Sequence, residues 1–176
     1  TGQRDVDAEC GPYVNGMVPD TLAALQPDVV MVMSAVWDVQ NRRLTGDGPL
    51  LTPSDPAIQA LFAEQNAEFA DGLLAQGVSR VVWVNGPPPL PSLAGGEDQQ
   101  AQPDRHAILH GIVDTVASTR PAMRVVDLAG WVAAQPFAED NAARAARVDG
   151  VHWTPEASLM IATDFLGPAI VQAALS

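Results

Sequence analysis

An acidic residue precedes a histidine by three positions in the stretch VDGVHWTPEAS, residues 148–158. At this spacing in a turn, the Asp149 carboxylate can accept a hydrogen bond from one ring nitrogen of His152, which fixes the tautomer and favours the imidazolium. The other ring nitrogen then faces a nucleophile and can take its proton. A solvated turn that leads into a helix is the alternative interpretation of the same spacing.

Two further sets of residues could carry chemistry. Ser34 ends an apolar segment and could act as a nucleophile, but the Gly-x-Ser-x-Gly pattern that holds a nucleophile on a strained turn is missing around it. His106 and His110 lie four residues apart, so one helix face could present both to a metal ion, with Asp104 or Asp114 nearby. No Glu follows His106 as in zinc-protease helices, and a solvated or helix-packing pair is the favoured interpretation.

Alternating strands and helices must position these residues. Apolar runs predict buried parallel strands over residues 28–34, 78–86 and 123–130. Helices are predicted between them, one from Asp55 and Pro56 to Gly77 and one over 104–118. Strands that alternate with helices indicate one three-layer α/β domain, residues 1–176, with a parallel sheet covered on both faces.

A last helix is predicted from about Pro155 to Ala174, with Thr154 as its N-cap. Its predicted buried stripe consists of Leu159, Ile161, Ala162, Phe165, Leu166, Ile170 and Val171. Working groups in such domains gather beyond the carboxyl ends of the strands, which here means after Ser34, Gly86 and Leu128. Three strands this apolar would leave an exposed apolar edge, so we expect a further strand upstream of Thr1.

Composition excludes several classes of function. The chain has 176 residues, nine arginines, no lysine and a formal charge of -12, which disfavours binding to nucleic acid or to anionic lipid. No unbroken apolar run approaches the roughly 18 residues that span a bilayer. The single cysteine, Cys10, excludes an internal disulfide and a cysteine-rich zinc site.

Two motifs carry a resemblance to a known family. DGVHWTPEA, after an α/β pattern, resembles the Asp-x-x-His block of the SGNH (GDSL-like) hydrolases and acyltransferases, in which the His is the general base and the Asp orients it. PDVVMVMSAVWDV falls where that family carries its Gly-x-Asn-Asp block, so residues 35–38, Ala-Val-Trp-Asp, align with it. The motifs are most similar to the extracytoplasmic SGNH domain fused behind a membrane acyltransferase, which also shows an Asp-x-Glu-Cys stretch like DAEC, residues 7–10.

The chain also departs from the family pattern. Gly-Asp-Ser, the block that carries the nucleophile, does not occur in the sequence, and the glycine block of the oxyanion hole is missing as well. Trp37 stands where the family has an oxyanion-hole Asn, and loss of one such donor typically costs about 2.7–4 kcal/mol of transition-state stabilisation. Trp37 could instead wall an acyl or sugar pocket, or simply pack. Ala35, Asp38 and Asn85 are the other residues expected in the substrate and oxyanion region.

The resemblance implies a flavodoxin-like sheet of SGNH type whose first strand is missing. It implies a serine esterase or O-acyltransferase that acts on ester-linked acyl groups, of a carbohydrate or cell-envelope glycan, with no metal or organic cofactor. His152 and Asp149 would serve a serine that lies outside this chain. The implied location is extracytoplasmic, with a membrane acyltransferase domain as partner and an upstream cysteine able to pair with Cys10.

Two other classes remain open. The first is a catalytically silent module that keeps the fold and binds a glycan or docks onto a membrane acyltransferase, with Trp37 and the proline-rich segment after the second strand as contacts. The second is a small-molecule-binding α/β domain. The sequence lacks a glycine-rich phosphate loop after any predicted strand, which disfavours the second class.

Overall fold

The structure is a computed structural model that describes residues 16–33, 37–91, 98–138 and 140–176, without the side chain of Asp140. The described elements run, in chain order, as α1 (Val18–Leu25), β1 (Val29–Met33), α2 (Pro56–Ala75), β2 (Arg80–Asn85), a short 3-10 helix (Gln99–Ala101), α3 (Pro103–Ser118), β3 (Met123–Asp127), α4 (Leu128–Ala133), α5 (Asp140–Ala146), α6 (Pro155–Ile161), a π-helical segment (Ala162–Leu166) and α7 (Gly167–Leu175). Together α6, the π-helical segment and α7 form the C-terminal helix, Pro155–Leu175.

The three described strands form one parallel sheet in the order β1-β2-β3. This confirms the predicted mixed α/β class and the parallel sheet. β3 is shorter than predicted, because the Asp127 side chain accepts a hydrogen bond from the Gly130 N–H at 2.8 Å and starts α4 at once. Asp127, as the N-cap of α4, ends β3 three residues before the predicted end of the strand at residue 130.

Helices cover both faces of the sheet. On one face, α1, α2 and α3 pack their apolar side chains against Val81 and Trp83 of β2. On the other face, α4 and the C-terminal helix pack against Val82 and Val84. The α2 helix begins at Pro56 and is followed by Gly77, whose φ of 93° reverses the chain toward β2. The Asp55 carboxylate, however, accepts hydrogen bonds from Thr52 instead of capping this helix.

The two strands β1 and β2 are covered unequally. Met31 and Met33 pair in register with Val82 and Val84 and share one face of the sheet with them. Both valines are fully buried, whereas the two methionines are 45% and 47% exposed. Within the described residues, the C-terminal helix and α4 therefore cover β2 on this face and leave Met31 and Met33 of β1 half-exposed. This is the apolar edge that the sequence predicts, and the additional strand stays a prediction.

The C-terminal helix corrects one expectation. Of its predicted buried stripe, Ile161 is buried and Phe165, Leu166 and Ile170 pack on the sheet, but Leu159, Ala162 and Val171 are exposed, Leu159 to 65%. The π-helical turn in the middle changes the angular spacing of the residues, so the stripe does not continue with the α-helical period. The helix is also 21 residues long and, by length and composition alone, apolar enough to cross a membrane, although polar residues interrupt its apolar sequence.

Candidate active site

The Asp149 carboxylate is the centre of the turn between α5 and α6. Its Oδ1 accepts hydrogen bonds from the backbone N–H groups of Val151 and His152, both at 2.8 Å. Its Oδ2 lies 2.6 Å from Nδ1 of the His152 ring. The spacing of three residues therefore lets one carboxylate fold the turn with one oxygen and hold the imidazole with the other. The structure brings together the two residues that the sequence selected.

These hydrogen bonds define the electrostatics of the pair. The His152 ring, followed by the two backbone N–H groups, lowers the pKa of Asp149 well below its ordinary value. The carboxylate is therefore ionised at neutral pH and can accept the Nδ1–H of the His152 ring. This contact leaves Nε2 as the ring nitrogen that faces away from the carboxylate, and the His152 side chain is 84% exposed. This is the arrangement that a general base requires.

Gly150 joins this turn to the segment that follows β2. Its carbonyl accepts a hydrogen bond from the Leu90 N–H at 2.8 Å, and its φ is 84°. A β-carbon at this position would lie 3.2 Å from both the Leu90 carbonyl oxygen and Arg144 Nη1. The close approach and the positive φ together require glycine. The turn is thereby fixed beyond the carboxyl end of β2, where the strand order predicts a site.

Two arginines fasten the same segment, 87–91, which we call the proline segment. Arg147 Nη1 donates a hydrogen bond to the Pro88 carbonyl oxygen at 2.7 Å, and Arg144 Nη2 donates to the Pro91 carbonyl oxygen. The sequence interpretation treated this segment as a rigid wall or a partner contact and assigned no role to either arginine. Their spacing of three residues, at and just after the end of α5 and ahead of the Asp-x-x-His block, was the only available signal.

Aromatic packing supports the other side of the turn. Trp153 contacts the Phe137 ring edge-to-face at 5.9 Å, and Phe137 lies 6.2 Å from Trp131. Trp131 in turn stacks on Phe165 of the C-terminal helix at 5.0 Å. This row of rings connects the residue after His152 to the apolar layer of the sheet. Because aromatic contacts of this kind are rigid, they limit the movement of the backbone that carries His152.

The start of α6 closes the turn. Thr154 caps the helix, since its hydroxyl accepts from the Ala157 N–H at 3.3 Å, and Pro155 occupies the first turn, both as predicted. The Thr154 N–H donates to the Ala146 carbonyl at the end of α5, at 2.9 Å. Ser158, one turn into the helix, is exposed. The eight residues 147–154 thus form a closed turn in which both ends are held by backbone hydrogen bonds.

The other predicted site residues are distributed along the same edge of the sheet. Trp37 is 58% exposed in the turn after β1, and Asp38 pairs with Arg42 at 3.8 Å. Asn85 ends β2, is buried, and its side-chain oxygen has no hydrogen-bond partner among the described residues. Ala35 lies outside the described residues. The roles of these four residues in a substrate or oxyanion region stay predictions.

Two other predictions from the sequence concern residues outside the described ranges. These are Ser34, as an internal nucleophile, and the stretch DAEC with Cys10.

The rival pair, His106 and His110, lies on α3. His106 is buried, and its Nε2 lies 2.7 Å from the Gln100 carbonyl oxygen. The rings of His106 and His110 contact each other edge-to-face, with 6.2 Å between their centroids. Among the described residues, no three His, Cys, Asp or Glu side chains are grouped closely enough to hold a metal ion. The contacts of this pair are those of helix packing.

Comparison with known proteins finds one similar solved structure, the crystal structure of the lipase/acylhydrolase from Enterococcus faecalis. The similarity has a TM-score of 0.49 at 14% sequence identity, over 85% of this chain and 80% of that chain. No family model and no curated protein matches the chain. The function must therefore follow from the chain's own residues and their geometry.

Proposed function

We propose that this chain carries the general base of an SGNH-type serine esterase or O-acyltransferase. One observation carries the proposal: Nδ1 of His152 lies 2.6 Å from Asp149 Oδ2, while the ring as a whole is presented to solvent. A carboxylate that fixes the tautomer and an accessible Nε2 are two of the three groups of a serine triad. The motif DGVHWTPEA supports the same assignment.

The proposed reaction is acyl transfer through a serine. Nε2 of His152 takes the proton from the serine hydroxyl as its oxygen attacks the ester carbonyl carbon. The resulting imidazolium is stabilised by Asp149 and returns the proton to the leaving alcohol as the carbon–oxygen bond of the ester breaks. In the second half of the reaction, His152 takes a proton from water or from a sugar hydroxyl, which attacks the acyl-serine and releases the acid or the new ester.

A serine on a strand beside β1 completes the proposed triad. Among the described residues β1 lies at the edge of the sheet, and this position together with the half-exposed side chains of Met31 and Met33 supports an additional strand beside it. The family pattern locates its Gly-Asp-Ser block at the end of such a strand, next to the carboxyl edge where His152 lies. The sequence contains no Gly-Asp-Ser, so the serine would belong to a segment that this sequence does not include.

The substrate, location and partner of the protein extend the proposal. Resemblance to the extracytoplasmic SGNH domains that follow membrane acyltransferases supports an acyl ester of a carbohydrate or cell-envelope glycan as substrate. The same resemblance supports an extracytoplasmic location and tethering to a membrane acyltransferase domain. The exposed Trp37 ring is a suitable platform for a sugar, because sugars stack their apolar faces on aromatic side chains.

Labelling with a fluorophosphonate tests the proposal, because this reagent reacts with serines that a neighbouring base activates. The protein with its natural upstream residues is labelled, digested and mapped by mass spectrometry. We expect one labelled serine upstream of Thr1, and loss of the label in His152→Ala but not in the matched surface variant Ser158→Ala. A label on Ser34 would place the nucleophile inside this chain.

The silent module is the second candidate function. The missing Gly-Asp-Ser block and the tryptophan in place of the oxyanion-hole asparagine favour it. It predicts no serine labelling at all, together with glycan binding that weakens in Trp37→Ala. Binding that is unchanged in this variant would contradict the assigned contact.

A further inference from the structure

Arg147 is a buried cation that no carboxylate of the described residues pairs with. Its side chain is at the end of α5, two residues before Asp149, and the residue is only 4% exposed. Within the described ranges Arg147 forms no ion pair. Burial lowers the pKa of Arg147, and the positive charge of the neighbouring Arg144 lowers it further. A charge buried in this way costs free energy that an apolar side chain of similar size would not.

The contacts of Arg147 lie on both sides of the candidate base. Nη1 donates to the Pro88 carbonyl oxygen at 2.7 Å, and the guanidinium lies over the Trp153 ring, 4.5 Å from its centroid. The backbone carbonyl of Arg147 accepts the Gly150 N–H at 2.8 Å. One residue therefore contacts the proline segment, the residue after His152 and the residue after Asp149. A planar guanidinium can lie over an aromatic ring and donate hydrogen bonds from its edge, which the ammonium group of lysine cannot do.

The His152 side chain depends on this support. The ring is 84% exposed, and Asp149, its hydrogen-bonding partner, is exposed as well. Little packing surrounds either side chain, so their positions follow from the backbone of the turn. A catalytic pair must be held within about 0.5 Å of its working geometry, which rigid neighbours supply.

We propose that Arg147 is a positioning residue that holds the Asp149–His152 turn against the proline segment. The catalytic role of Arg147 rests on the proposed function, whereas its effect on the His152 ring can be measured without it. Arg147 would keep Nε2 of His152 directed toward the serine beyond the carboxyl edge of the sheet. Burial of the Arg147 charge lowers the stability of the fold, and the proposed gain is a fixed position of the catalytic base.

The test uses Arg147→Met, which keeps the length of the side chain and removes its charge and donors. Nitrogen–proton correlation spectra of the three histidine rings, recorded above about pH 8 where imidazole is neutral, report the tautomer of each ring. We expect His152 in the Nδ1–H tautomer in the parent chain and a shift toward the averaged mixture of free histidine in Arg147→Met. Unchanged His106 and His110 signals show that the fold is intact.

Two further variants keep the test decisive. Arg120→Met removes a surface arginine that pairs with Asp71 at 2.9 Å, and it should leave the His152 signal unchanged. Arg147→Lys retains one donor and should give a smaller shift, and it replaces Arg147→Met if that variant unfolds. An unchanged His152 signal in a folded Arg147 variant overturns the proposal.

Turnover separates this inference from the proposed function. In the protein that carries the serine, Arg147→Met should lower kcat with little change in KM, since the base is displaced while substrate contacts remain. A tautomer shift without any ester hydrolysis in the parent protein would reject the proposed function and leave the positioning role in place.

Discussion

The protein places histidines in two opposite environments. His152 lies in an exposed turn with a carboxylate on Nδ1, whereas His106 is buried on α3 with a backbone carbonyl on Nε2. Burial, which outweighs the Gln100 carbonyl, lowers the pKa of His106. Burial and the neighbouring His106 ring lower the pKa of His110. The difference shows that accessibility and the hydrogen-bonding partner, not the presence of histidine, separate a candidate base from a packing residue.

Replacement of His152 by alanine should have the largest effect on activity. In the protein that carries the nucleophile, we expect hydrolysis of a short-chain aryl ester to fall by roughly 10⁵–10⁶-fold, because no other group takes the proton of the serine. The ring is exposed and its loss removes only the hydrogen bond to Asp149, so the midpoint of urea unfolding should change little compared with the loss of activity. Steady-state kinetics and denaturation on the same sample measure both. Unchanged turnover would reject His152 as the base.

The Asp149→Asn variant should follow, with a loss of about 10⁴-fold. An amide at this position has one oxygen instead of two, and its NH2 group can donate to Nδ1 and favour the wrong tautomer of His152. It also carries no negative charge to stabilise the imidazolium. We expect the loss in kcat with little change in KM. Asp164→Asn, on the exposed surface of the C-terminal helix, is the matched control. If Asp149→Asn retained full activity, the carboxylate would be only a turn-forming group.

His106→Ala should have the reverse profile. It removes a buried side chain and leaves the Gln100 carbonyl without its partner, which costs roughly 1–3 kcal/mol of the free energy of unfolding. Activity per folded molecule should be retained, since His106 is not part of the candidate site. Chemical denaturation measures the first quantity and active-site titration the second. A stable but inactive His106→Ala would return the buried pair to consideration as a functional site.

Local rules predicted much of this fold from the sequence. Val81 to Val84 are apolar and bounded by a turn, so the strand that they form could be located without tertiary information. The short spacing from Asp149 to His152 also allows their hydrogen bond, although a solvated turn was the alternative interpretation of the same spacing. Both features depend on residues that are close in the chain.

The remaining features depend on contacts between distant residues. Arg147 and Pro88 are 59 positions apart, and no local pattern pairs an arginine with a particular carbonyl. The exposed Leu159 was predicted to be buried because the π-helical turn after Ile161 cannot be recognised from hydrophobic spacing. The uneven covering of Met31 and Val82 follows from where the C-terminal helix packs, which the composition of either strand does not reveal.

Acid should separate the two histidine environments by their effect on stability. The folded-state pKa of His106 and of His110 lies below the unfolded value, so the unfolded chain binds more protons as the pH falls below about 6.5. The free energy of unfolding should therefore decrease from pH 7 toward pH 5, although the charges of Asp127 and Asp114 oppose the shift at His110. The lowered pKa of Asp149 acts in a different pH window, since its contribution to the free energy of unfolding is lost only below about pH 4.

Denaturation curves between pH 7 and pH 3 test this difference. The free energy of unfolding should depend less steeply on pH between 7 and 5 in the double variant His106→Gln, His110→Gln. Asp149→Asn should keep that slope and change the curve below pH 4, and an equal slope in all three proteins would contradict the assignment of neutral, buried rings.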